Sequence, residues 1–256
     1  MEGVVNWHIG RCGSSVLGSL LKQHSQVAYS NEIYSKYMPR RKGGPKPLPP
    51  LAQVLDQARE GLQLQWHCFE VKHLRDQNLG LYPGITHVDW LQTFLERGYR
   101  QHLVMTRRNG LRRMVSHLRA APGREYVRKE QVQAGGADHE PLTIPLERIS
   151  HGFGQRSLLA WLEIYEQGHA AMLELLRTAQ RQQPDLAWLE LVYEDHIEPD
   201  PCIAYSMVCE QLQIPVSPVT VELRRINPGP LPALISNYDE VCRALGATRF
   251  AWMLEA

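Results

Sequence analysis

The run Gly10-Arg11-Cys12-Gly13-Ser14-Ser15 has the residue types of an anion cradle, set between an apolar stretch at Val4–Ile9 and a second one beginning at Val16. Glycines let a backbone approach an oxyanion, the two serines offer hydroxyls and N–H groups at a helix start, and the helix dipole favours negative charge there. A nucleoside-triphosphate loop needs Gly-x-x-x-x-Gly-Lys-Ser/Thr, with Lys on the phosphates and a hydroxyl on Mg²⁺. No such Lys follows here. The cation is Arg11 instead, whose planar fork can grip an oxyanion through two parallel hydrogen bonds. That chemistry points away from ATP hydrolysis and towards another phosphate-bearing donor. A phosphatase built on Cys12 would need an Arg six positions on, and position 18 is Gly. Cys12 therefore reads as a small filler that leaves the loop room to turn.

The elements that must position this loop are legible as apolar runs. Strands are predicted at about 4–9, 66–72, 101–106 and 187–193, with a short one near 27–29. Helical patterns separate them: Thr86 caps Trp90–Leu95, and Leu158 to Leu176 repeats apolar residues through Trp161, Ile164, Tyr165 and Met172. Alternating strands and helices imply an α/β fold, a central parallel sheet flanked by helices on both faces, with ligands beyond the strand C-termini. Arg11, Lys72 and Arg108 all fall at predicted strand ends. Lys72 and His73 close the strand that starts at Trp66 and are expected to face the same rim. There Lys72 suits charge neutralisation, and His73, with an ordinary pKa near ~6.5, suits proton transfer. Of Arg107, Arg112 and Arg113, at least two read as a solvated helix face.

On two motifs the sequence resembles the sulfotransferases that use 3′-phosphoadenosine 5′-phosphosulfate (PAPS), especially the bacterial and carbohydrate branches. Their donor loop reads Arg-x-Gly-Ser-Ser, as does Arg11-Cys12-Gly13-Ser14-Ser15 here. The family also carries an Arg at a strand end and a Ser eight residues later, both on the 3′-phosphate, and Arg108 and Ser116 have that spacing. If residues 110–120 are helical, that is a little over two turns, which puts Ser116 near the helix face Arg108 can reach. Leu191-Val192-Tyr193-Glu194-Asp195 looks like the family's late Tyr-Glu-Asp strand end. The resemblance implies a P-loop-like sheet of sulfotransferase type and a donor held by Arg11, Cys12, Gly13, Ser14, Ser15, Arg108 and Ser116. It also implies Glu32 as the base that takes the acceptor proton, Arg11 and Lys72 as charge neutralisers, and His73 as the alternative base. The implied reaction moves a sulfuryl group from PAPS to a hydroxyl of a carbohydrate or small-molecule acceptor, an amine being the second choice. The alternatives are a P-loop-type small-molecule kinase and a non-catalytic nucleotide-binding protein of the same fold.

The rest of the chain sets bounds. It has 256 residues, 43% of them apolar, without repeats or a composition break, as expected for a single domain over 1–256. A net charge of +1 excludes a broad polyanion-binding surface, so nucleic acid is not expected as a partner. The chain enters a strand almost at once and has no apolar window of some twenty residues, so a cytoplasmic protein without membrane insertion is expected. Five cysteines show no Cys-x-x-Cys pair and eleven histidines no ligand spacing, so no metal is expected. Segments at about 36–50 and 122–141, rich in Pro, Gly and charge, read as mobile loops over the site. Oligomeric state is not readable.

Overall fold

The computed structural model describes residues 2–38, 47–120, 140–223 and 227–255. Along the chain come β1 (Glu2–His8), α1 (Ser14–Leu21), β2 (Val27–Glu32), α2 (Leu51–Arg59), β3 (Trp66–Lys72), α3 (His87–Glu96), β4 (Tyr99–Thr106) and α4 (Gly110–Arg119). There follow the short pair β5 (Ile149–His151) and β6 (Gly154–Arg156), then α5 (Leu158–Gln182), β7 (Ala187–Val192), α6 (Pro201–Gln211), α7 (Leu231–Leu234) and α8 (Tyr238–Leu245). The main sheet is parallel throughout, in the order β2-β3-β1-β4-β7. All five expected strands are present, and the short one runs on to Glu32.

Parallel strands with both faces covered read as near-continuous apolar runs, which is why they are visible locally. One face packs Val5, Trp7, Phe69, Val71 and Val104 against α2, α3 and α5. The other packs Val4, Cys68, Leu103, Met105 and Leu191 against α1 and α6. The expected α3 start is a full capping box: Thr86 Oγ1 accepts from the Asp89 amide at 3.2 Å and Asp89 Oδ2 from the Thr86 amide at 2.8 Å.

The predicted loops at 36–50 and 122–141 fall for the most part at 39–46 and 121–139, outside the described residues. Among the described residues no helix is long and apolar enough to cross a membrane.

What positions the site is strand register. His8 pairs with Lys72 and Asn6 with Glu70 between β1 and β3. Between β2 and β3, Tyr29 pairs with Cys68 but Glu32 with Glu70, three residues on one strand against two on the other. The extra residue is accommodated at Asn31, whose φ is 49°, a left-handed conformation that Asn tolerates better than most residues. Side chains alternate along a strand, so without this bulge Glu32 would point away from Tyr29. With it, Glu32 shares the α1 face with Tyr29, Glu70, Lys72 and His8.

Candidate active site

The loop between β1 and α1 is built from left-handed backbone: Gly10 has φ 81°, Arg11 φ 60° and Gly13 φ 88°. A Cβ at Gly13 would lie 2.7 Å from Ile197 Cγ2, so only glycine fits that turn. Arg11 adopts the same conformation at a cost of about 1–2 kcal/mol, strain of a kind found where function demands it. At the helix start, Val16 and Leu17 donate to Gly13 O at 3.0 and 3.1 Å. The Ser14 and Ser15 amides have no backbone partner among the described residues, as the first amides of a helix do not find one within it. Cys12 is buried in the apolar cluster under the loop, in keeping with a filler.

Beside the loop stands a polar cluster drawn from three adjacent strands. Lys72 Nζ lies 2.7 and 2.8 Å from the two Glu32 carboxylate oxygens, and its Cε would be 3.2 Å from a Cβ added at Gly10. Ser35 Oγ also donates to Glu32. Deeper, His8 Nε2 faces Glu70 Oε2 at 3.1 Å, and Tyr29 OH donates to Glu70 Oε1 at 2.6 Å. Burial works to raise the Glu32 pKa, but the Lys72 and His8 charges and the hydrogen bonds from Lys72 and Ser35 outweigh it, lowering it from 4.5 to about 2. Burial likewise works to raise Glu70, and His8 and Tyr29 hold it down. For His8, burial lowers the pKa while Cys12 and Glu70 raise it, to about 10. The Gly10 amide opposes that rise, since it donates to Nδ1 at 3.0 Å and needs a lone pair there.

A depressed carboxylate pKa stabilises the fold above the unfolded value and stops doing so as pH falls through the folded one. Glu32 should thus contribute fully above pH 4.5 and lose its contribution towards pH 2. Thermal melts over that window are expected to fall more steeply for the natural chain than for Lys72→Met; equal slopes would contradict the pairing.

Three sequence expectations change in three dimensions. His73 does not share the rim with Lys72, because neighbouring residues alternate faces; it is fully buried, with neither ring nitrogen hydrogen-bonded. Burial first, then the nearby His169, His87, His8 and Arg113 charges, push its pKa well below 6.5. Ser116 meets Arg11 rather than Arg108: Arg11 Nε donates to Ser116 Oγ at 2.9 Å. Arg108 instead makes two parallel bonds of 2.6 Å to Asp195, and Glu194 accepts from the Arg108 and Asn109 amides at 2.9 and 3.0 Å. The solvated face expected for at least two of Arg107, Arg112 and Arg113 is not found. Arg113 is fully buried, and Arg107, its side chain 8% exposed, stacks 4.2 Å over Tyr193.

His8, Glu32 and Glu70 bring three potential metal-ligand atoms within 4.8 Å of one another. They come from three strands, so no sequence spacing could mark them, but polar residues at period two in otherwise apolar runs (Asn6 and His8; Glu70 and Lys72) were a usable signal. Lys72 already supplies the positive charge at Glu32, which makes this grouping a network of paired charges in its present form.

No family model matches the chain, and no curated protein matches it. Among solved structures, a sulfotransferase from Alicyclobacillus acidocaldarius aligns with all of this chain and 94% of its own, at a TM-score of 0.51 and 15% identity. The chain has the α/β sulfotransferase fold, and at that identity the likeness is one of fold.

Proposed function

We propose that this chain is a PAPS-dependent sulfotransferase acting on a hydroxyl of a carbohydrate or small molecule. The observation that carries the reading is the placement of a strained Arg-bearing loop, a lysine and a carboxylate at the C-terminal ends of adjacent parallel strands, where this fold class binds ligands. The 5′-phosphosulfate would sit against the Ser14 and Ser15 amides with Arg11 and Lys72 on its oxygens. Glu32 takes the acceptor proton as the acceptor oxygen bonds to sulfur and the bridging S–O bond breaks. The bonding pair stays on the 5′-phosphate, and 3′-phosphoadenosine 5′-phosphate leaves. Positioning and charge neutralisation supply the rate. A donor phosphate competes with Glu32 for Lys72, and a Glu32 relieved of that charge is the stronger base.

In this reading the 3′-phosphate lies near Arg108 and Ser116, and to reach Arg108 it must displace Asp195. Calorimetry should therefore find 3′-phosphoadenosine 5′-phosphate bound much more tightly than AMP. Arg108→Ala is expected to weaken the former at least ~10-fold, as loss of a charge-assisted hydrogen bond does. Asp195→Ala should tighten it and leave AMP unchanged. Equal affinities for the two nucleotides would remove the assignment. Binding without sulfuryl transfer to any of a panel of sugars, phenols and amines would leave a nucleotide-binding protein without catalysis.

A further inference from the structure

We infer that His8, Gln77 and Arg113 are positioning residues that clamp the entry peptides of the anion loop. Three successive backbone groups at the β1 exit are each held by a buried polar side chain. Ile9 O accepts from Gln77 Nε2 at 3.0 Å and from Arg113 Nη2. Gly10 N donates to His8 Nδ1 at 3.0 Å, and Gly10 O accepts from Arg113 Nε at 2.8 Å. The side chains are themselves fixed: His8 faces Glu70, Gln77 meets His151 Nε2 at 2.8 Å, and the Arg113 guanidinium lies 3.5 Å over the Tyr165 ring. His8 and Arg113 are 0% exposed and Gln77 2%.

Burying an arginine is costly unless its charge is met, and among the described residues no carboxylate pairs with Arg113. Its Nη1 makes no hydrogen bond. The charge is spent on loop carbonyls and an aromatic face instead, which is hard to account for as packing. Its effect on the loop follows from peptide geometry. In a trans peptide C=O and N–H point in opposite directions, so a Gly10 carbonyl tied to Arg113 cannot turn into the cradle and repel an anion. The Ile9–Gly10 peptide is gripped at both ends, carbonyl by Arg113 and Gln77, amide by His8. The left-handed turn that begins at Gly10 is thereby set before any ligand arrives, and the cost of ordering the loop on binding is avoided. Arg113 also leaves a buried positive charge one peptide behind the cradle, in a low-dielectric setting where it acts strongly on an anion.

The clamp rests on the proposed donor site for its purpose but not for its existence, and the test separates the two. Asn at position 8 keeps an acceptor where Nδ1 stands, whereas Gln reaches towards Glu70 and leaves the Gly10 amide without one. Hydrogen exchange of the full chain, read at peptides covering residues 9–15, should match the natural protein in His8→Asn and be faster in His8→Gln and Arg113→Met, with β1 and α3 unchanged. Affinity for 3′-phosphoadenosine 5′-phosphate, by calorimetry, should stay within ~3-fold in His8→Asn and fall ~10-fold or more in the other two, with Arg113→Lys between. Should Arg113→Met not fold, the His8 pair and Arg113→Lys decide. Natural loop exchange and natural affinity in His8→Gln and Arg113→Lys would overturn the clamp, whatever their melting temperatures. If the natural chain binds no nucleotide while loop exchange responds as stated, the donor reading fails and the clamp stands.

Discussion

Glu32→Gln is expected to lower turnover by roughly 10²–10⁴-fold while donor affinity stays nearly unchanged, because the amide keeps size and hydrogen bonding but takes no proton. Glu32 is the carboxylate with an exposed edge beside the loop, its side chain 27% exposed, whereas Glu70 is buried and engaged by His8 and Tyr29. The pH profile should carry its signature. With Lys72 in place the free-protein pKa of Glu32 is about 2, so the acid limb of kcat/KM should lie below the ordinary carboxylate range. Lys72→Met removes the main charge that holds it down, and the limb should move up. His73→Ala is expected to cost fold stability by opening a buried site, with turnover per folded molecule largely retained. Near-normal turnover in Glu32→Gln, together with its loss in folded His73→Ala, would transfer the base to His73 and refute the assignment.

Loss of the Arg11 side chain should be of similar size and of a different kind. Its guanidinium would meet the phosphosulfate in the ground state and the charge that rises in the transition state, so Arg11→Gly should lower donor affinity and kcat together, by about 10²-fold or more in kcat/KM. Two charge-assisted hydrogen bonds at about 1.5–3 kcal/mol each are enough for that. Arg11→Lys should recover only part, having charge without the fork. The backbone adds a second readout. With φ at 60°, position 11 suits glycine better than arginine, so Arg11→Gly should melt no lower than the natural chain while losing activity. A melting temperature clearly below that of the natural protein would mean that Arg11 holds the fold rather than the donor, and full activity in Arg11→Gly would remove the loop from the mechanism.

How much of this could be read along the chain depends on how local each feature is. The five strands were legible because burial on both faces makes each one an apolar run. The α3 start was legible because a capping box closes within four residues, and the tight turn after β1 because Gly10 and Gly13 express left-handed backbone freedom directly in residue type. Glu32 was visible through its family resemblance, but the reason it faces Lys72 is a bulge at Asn31 that one strand alone does not display.

What only the tertiary structure decided were the pairings between elements. His8 and Glu70 lie on strands 62 residues apart along the chain and meet because β1 and β3 hydrogen-bond in one register. Lys72 and His73 part company because alternate residues of a strand face opposite layers, which sends one to the rim and the other into the core. Arg108 finds Asp195 and leaves Ser116 to Arg11 because β4 and β7 are neighbours, and neighbouring strands bring their exit turns together. Arg113 is the sharpest case. A charged residue in an arginine-rich stretch is solvated on composition alone, since burial of a charge is unfavourable unless something pairs with it. The partners here are carbonyls of a loop more than a hundred residues earlier, and only the packing of α4 against the β1 exit supplies them.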